Sequence, residues 1–197
     1  MINSYKRRME FARQLVHMCF GLVILAIIFF LPFSRQNTVA IANLFVLGCL
    51  LYILVIMDRR SRNMHSPFAD YLLDSLERAG VEPAHGAFWY AIGALFALSF
   101  IPTPEKAVSA IMMLAIADGL STIVGSYGKH PLPYNCKKSI EGTLAFFASG
   151  LLTYFLIGPV ALPLALFAAA VESLDLPIDD NLSVPVACAL FFKLLTA

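Results

Sequence analysis

Charge is what this sequence has least of. Asp, Glu, Lys and Arg make up 14% of its 197 residues, 59% are hydrophobic, and the mean hydropathy is +0.78. A soluble domain carries about a quarter charged residues, so the composition excludes an ordinary soluble domain. It predicts instead a polytopic membrane protein of one domain, residues 1–197, with no separate soluble module. No basic run is long enough to hold nucleic acid. The four cysteines, Cys19, Cys49, Cys136 and Cys188, lie far apart with no C-x-x-C pair, which excludes the usual zinc and redox spacings. Three fall in apolar segments and read as packing residues, while Cys136 reads as incidental. The chain has no internal repeat, no G-x-x-x-x-G-K-[ST], no H-E-x-x-H and no serine-hydrolase elbow, so phosphate binding by a Walker loop and hydrolase readings lack support.

Long apolar runs are abundant. A spanning helix needs about 20 mostly apolar residues, which predicts an all-α bundle of seven spans near 14–33, 38–57, 85–102, 106–126, 139–157, 160–175 and 182–197. The first is too long for a secretory signal core and no small-residue cleavage site follows it. From Gly142 to Val171 there is no charged residue. One straight helix over that run would be about 45 Å long, so the run is divided at Gly158-Pro159, its strongest breaker pair.

Lys and Arg concentrate in cytoplasmic loops. With the N-terminus inside, the cytoplasmic face holds Lys6, Arg7, Arg8, Arg13, Arg59, Arg60, Arg62, Arg78, Lys129, Lys137 and Lys138, against Arg35, Lys106 and Lys193 outside. An odd span count places the termini on opposite sides, and the cytoplasmic loops fall at about 58–84, 127–138 and 176–181. In the first of these, Phe68, Tyr71, Leu72, Leu76 and Ala79 follow helical spacing while Asp70, Asp74 and Glu77 take other positions. Two readings stand: an interfacial helix guiding a lipid, or a solvated connector packed on the bundle.

Five places carry chemistry. Asp118 interrupts an apolar span, where a carboxylate is expensive unless it faces a polar cavity; Ser121, Thr122 and Gly125 follow on its helical face. The alternative is a carboxylate neutralised by an interhelical hydrogen bond. In "GSYGKHPLPYNC", Gly125 and Gly128 allow tight backbone paths and Pro131 and Pro133 stop the neighbouring helices, which predicts a defined turn. Lys137, Lys138, Ser139 and Glu141 are expected to open the next helix, whose free N–H groups and positive end suit a di- or triphosphate; positive-inside anchoring also explains the lysines. Asp179, Asp180 and Asn181 offer the oxygen ligands Mg²⁺ uses, a general base for a hydroxyl, or a cap for a helix with Pro185 in its first turn. Glu10, Arg13 and His17 lie close to one helical face, with Arg13 a phosphate clamp or a partner for Glu10, and His17 an interface histidine.

"ADGLSTIVGSYGKHPLPYNCKKSIEG", followed by "DDNLSVP" and preceded by E-x-x-R-x-x-x-H and "GAFWYAIGALFAL", resembles the integral-membrane polyprenol kinases: dolichol kinase, phytol kinase and the yeast-type CTP-dependent diacylglycerol kinase. The resemblance implies transfer of the terminal phosphate of CTP, with Mg²⁺ or another divalent cation, to the hydroxyl of a membrane lipid. By position it assigns Asp118 and Gly125 to the family's aspartate and glycine at the nucleotide loop, Lys137, Lys138 and Glu141 to its K-K-S/T-x-E-G, and Arg13 to its arginine, where the usual RK pair reads Arg13-Gln14. The expected site joins Asp118, Asp179 and Asp180 as metal ligands and base with Arg13, Gly125, Lys129, Lys137, Lys138, Ser139, Glu141 and Asn181 around the nucleotide. The enzyme would lie in the cell membrane of a prokaryote or the endoplasmic reticulum of a eukaryote. A CTP-dependent cytidylyltransferase making a CDP-activated lipid shares part of this pattern, and a proton- or ion-coupled transporter using Asp118 is the non-enzymatic alternative.

Overall fold

The computed structural model describes residues 4–64 and 84–196. Most of the expected loop 58–84, with its interfacial helix, lies outside them.

The first two helices are α1, Ser4–Phe30, and α2, Arg35–Ser61. The turn between them is short and satisfied: Ser34 caps α2 by accepting from the Asn37 amide, and Arg35 Nη1 donates to Ile28 O at 2.9 Å while its Cζ lies 4.4 Å from the Phe29 ring centroid. Helix α3, His85–Phe100, packs on α2. Then α4, Pro104–Met112, runs through a π-helical turn, Met113–Ala117, into α5, Asp118–Gly125. Pro104 sits in the first turn of α4, where a missing N–H costs nothing. This central rod is lined with small buried residues, Ala107, Ser109, Ala110, Ala115 and Ala117, which let neighbouring backbones approach.

A two-stranded antiparallel hairpin follows, β1, Pro131–Leu132, and β2, Asn135–Ser139. It turns the proline-bounded loop into a small sheet within an otherwise helical molecule. Next come α6, Ile140–Gly150, the short α7, Tyr154–Ile157, and α8, Ala161–Ser173, with 3₁₀ turns between them. Gly158 has φ +60°, a conformation side chains disfavour, just before Pro159. The chain doubles back there: a Cβ at Gly150 would fall 3.2 Å from Ala165 Cβ, while Lys138 reaches Glu172. The sequence-based division at 158–159 matches this break.

The last helix, α9, Asp180–Thr196, begins two residues earlier than expected and packs on α3 and α8. Asp179 caps it, its Oδ1 accepting from the Asn181 amide at 3.0 Å. Pro185, inside the helix, has no N–H to give the Asn181 carbonyl four residues back. Gly93 of α3 makes room for that carbonyl, since a Cβ there would fall 1.9 Å from its oxygen.

The architecture is that of an α-helical membrane protein. Among the described residues, four helical stretches are long and apolar enough to cross a membrane: Arg8–Phe30, Arg35–Ser61, Pro104–Gly125 and the folded-back Ile140–Ser173. His85–Phe100 is a shorter apolar helix. Of the cysteines, Cys188 is buried, whereas Cys19 is exposed on α1 and so is not the packing residue expected.

Candidate active site: an acidic cluster around Lys138

Asp118 is the first residue after the π turn and is almost wholly buried. Its amide donates to Met113 O, five residues back, rather than to Leu114 O, four back. His17 of α1 lies beside it, with Nε2 2.9 Å from Leu114 O and 3.6 Å from Asp118 Oδ2. Tyr90 of α3 meets the imidazole edge-on, ring centroids 4.3 Å apart.

Two further carboxylates converge on Asp118 from distant parts of the chain, Glu172 near the end of α8 and Asp180 at the start of α9. One oxygen from each of the three lies within 4.8 Å of the others. Lys138 sits among them, donating to Glu172 Oε1 and, at 2.7 Å, to Asp180 Oδ2. Ser121, one turn after Asp118, donates to Glu172 Oε1 at 3.2 Å. Burial alone would disfavour the charge on Lys138, yet the carboxylates of Glu172, Asp180 and Asp118 outweigh it and hold the lysine pKa above its ordinary value. The ammonium therefore stays protonated throughout the physiological range.

The lysines do not open a helix, as expected from sequence; both lie on β2, and α6 starts at Ile140. Strand geometry sends neighbours to opposite sides. Lys138 points into the cluster, while Lys137 is 77% exposed and pairs with Asp175 at 2.9 Å. The hairpin is held on the end of α8 by Tyr134 OH against Ser173 Oγ at 2.9 Å and by Asn135 Nδ2 donating to Ser173 O at 3.0 Å.

Ser139 and Glu141 shape the loop between α5 and β1. Ser139 caps α6 through the Gly142 amide at 3.1 Å. Glu141 Oε1 accepts from the Lys129 amide at 2.9 Å and meets His130 Nδ1 at 2.8 Å, with the His130 amide 3.4 Å from Oε2. Gly128 presses onto this clasp: a Cβ there would fall 2.3 Å from Ser139 Oγ. Gly125 and Gly142 mark the close crossing of α5 and α6, where a Cβ on Gly142 would lie 2.9 Å from Ser121 O.

Of the residues expected at the site, the fold brings Asp118, Asp180 and Lys138 into one cluster. Asp179 stands apart, its Oδ1 occupied by Asn181 and its Oδ2 3.9 Å from His85 Nε2. Asn181 is buried with its Oδ1 unpartnered, and Lys129 is exposed on the clasped loop. Arg13 pairs with Glu10 and keeps a buried Nε without a partner. Glu172 was missed by sequence reasoning. Its signal was a carboxylate that closes a thirty-residue uncharged run.

Three carboxylates around one lysine leave excess negative charge, and Glu172 Oε2 is buried without a hydrogen-bond partner. An all-oxygen set with an unsatisfied acceptor fits a hard divalent cation such as Mg²⁺.

No family model and no solved structure matches the chain. Over 183 residues it is 33% identical to the "uncharacterized protein MJ1137" of Methanocaldococcus jannaschii, covering 91% of both chains. It is 34% identical over 148 residues to the "probable phytol kinase, chloroplastic" of Zea mays, which involves 63% of this chain and 48% of the maize protein. With "probable phytol kinase 2, chloroplastic" of Oryza sativa subsp. japonica it shares 32% identity over 201 residues, 88% of this chain and 62% of the rice protein. The chain thus spans about half of the maize relative's length. It belongs to one family with the Methanocaldococcus protein, and its sequence similarity extends to plant proteins named probable phytol kinases.

Proposed function

We propose that this chain is a membrane lipid kinase moving the terminal phosphoryl group of CTP to the hydroxyl of an isoprenoid alcohol, phytol-like or polyprenol. The observation that carries the reading is the convergence of Asp118, Glu172 and Asp180 on Lys138 at the ends of apolar helices. The names of the plant relatives favour kinase over cytidylyltransferase chemistry.

In phosphoryl transfer the protein mainly positions the reactants and stabilises charge. Asp118, Glu172 and Asp180 would hold Mg²⁺, which when bound supplies charge neutralisation at the phosphate oxygens. Lys138, kept protonated by its neighbours, supplies a fixed positive charge to the transferring group. A carboxylate of the cluster takes the proton from the lipid hydroxyl. The new O–P bond forms as the bond to the bridging oxygen of CTP breaks, releasing CDP. The clasped Gly128–His130 loop frames the nucleotide, with Lys129 on its outer side, and Arg13 adds charge from α1. With seven spans and a cytoplasmic N-terminus, the cluster would lie at the cytoplasmic face, where CTP is available and the lipid need not leave the bilayer.

The test is purified protein with γ-labelled CTP, Mg²⁺, and a panel of phytol-like alcohols, polyprenols and diacylglycerol. Labelled lipid with release of CDP is expected. Release of pyrophosphate with a cytidylyl lipid would instead establish the transferase, and no labelled lipid from any alcohol would overturn the kinase reading.

A further inference from the structure

We propose that His17 is a positioning residue: it holds the π turn of Met113–Ala117 in place and through that turn aims the Asp118 carboxylate into the cluster. This rests on the reading of Asp118 as part of the active site, but its structural half can be tested without any turnover.

An α-helix would bond the Asp118 amide to Leu114 O. Here that amide goes to Met113 O, and the carbonyl it skips accepts from His17 Nε2 at 2.9 Å. A carbonyl can only accept, so Nε2 carries the proton. A buried carbonyl without a donor is costly; the histidine therefore removes a penalty that would otherwise favour closing the turn back to α. The turn also decides direction. One residue corresponds to about 100° of rotation in an α-helix, so returning the turn to α-helical bonding would swing Asp118 and all of α5 away from Glu172 and Asp180.

The surroundings fit this role. Gly21 of α1 lies so close to the turn that a Cβ there would fall 2.1 Å from Ala115 Cβ, and Gly119 leaves room for Met18, with a Cβ 2.5 Å from its Cγ. His17 is thus delivered to the Leu114 carbonyl by a tight crossing of α1 on the central rod. The Tyr90 ring fixes the imidazole plane. At 3.6 Å from Asp118 Oδ2, Nε2 is beyond hydrogen-bond length and is committed to the carbonyl.

The experiment uses the full chain in nanodiscs, with its native cysteines replaced and nitroxides placed at the exposed positions Leu15 on α1 and Val124 on α5. His17→Ala and His17→Phe cannot donate to the carbonyl, whereas His17→Asn and His17→Gln keep an N–H. The label-to-label distance is expected to shift by several Å in His17→Ala and His17→Phe and to return towards wild type in at least one amide variant. An unchanged distance in both His17→Ala and His17→Phe overturns the proposal. So does a shift that neither amide variant reverses. Label transfer from CTP is then measured separately. A drop of about tenfold or more in kcat with His17→Ala is expected, with the lipid KM unchanged, partial recovery in the rescuing amide, and no further loss when Asp118→Asn is already present. If wild type transfers no phosphate while the distance shifts as described, the kinase reading falls and the role of His17 in the turn stands.

Discussion

Two apolar stretches of similar length behave in opposite ways. Pro104–Gly125 is buried over 67% of its apolar window, while Arg35–Ser61 is buried over only 22%. The more apolar of the two is the more exposed one, with mean hydropathy 2.7 against 1.9. Hydropathy therefore does not say which helix faces protein. Side-chain size and the lone carboxylate do: the central rod turns Ala107, Ala110, Ala115 and Ala117 inward, whereas α2 presents Leu44, Leu51, Tyr52 and Val55 outward. In a bilayer, large apolar side chains lose nothing by facing acyl chains, and small ones allow close helix contact. The exposed helix packs mainly on α1 and α3. The buried one carries Asp118 within it, where a charge is tolerable because other charges meet it.

The strongest way to break this contrast is to change one residue on each stretch. Asp118→Asn is expected to lower the rate of label transfer from CTP on the order of 10³-fold, while Leu51→Ala on α2 leaves it unchanged. Comparable losses in both would remove the distinction. Glycines sharpen it through stability. Gly142→Leu forces a side chain against Ser121 O at the rod and should cost about 1–3 kcal/mol, read as a lower unfolding temperature in detergent. Gly48→Leu on α2 meets open space and should leave that temperature in place.

A smaller effect is expected at the loop that leaves the rod. Glu141→Gln weakens the charge-assisted bonds to the Lys129 and His130 amides. Those bonds hold the Gly128–His130 clasp closed, so the KM for CTP should rise several-fold while the lipid KM stays unchanged. An equal rise in both constants would mean that the clasp does not serve the nucleotide side alone. Lys137→Ala is expected to matter least. Its pair with Asp175 is largely solvent-exposed and contributes less than about 1 kcal/mol, so activity and unfolding temperature should both stay near wild type. A large loss would give the outward lysine a role the structure does not show.

Much of the site was legible because its signals are local. A carboxylate inside an apolar run, paired lysines after a proline-bounded loop, and the Asp-Asp-Asn stretch each stand out against an uncharged background. Glu172 was overlooked because it closes the long uncharged run instead of interrupting it. The β hairpin was illegible for another reason. Its first strand has two residues, too short for any alternating pattern, and its pairing depends on the α8 end that Tyr134 and Asn135 grip.

The sequence by itself determined a membrane protein, the break at Gly158-Pro159, and the anomaly of Asp118 as a carboxylate inside an apolar run, because each follows from transfer energetics or backbone sterics at one place in the chain. Only the tertiary structure decided which of two adjacent residues does what. Lys137 and Lys138 point oppositely on a strand, Asp179 and Asp180 divide between capping α9 and joining the cluster, and a π turn sets the heading of Asp118. The physical reason is that sequence fixes the period of a helix or strand but not its rotation about its own axis. That angle comes from the contacts made by residues far away in the chain, here α1, β2, α8 and α9 around the end of the central rod.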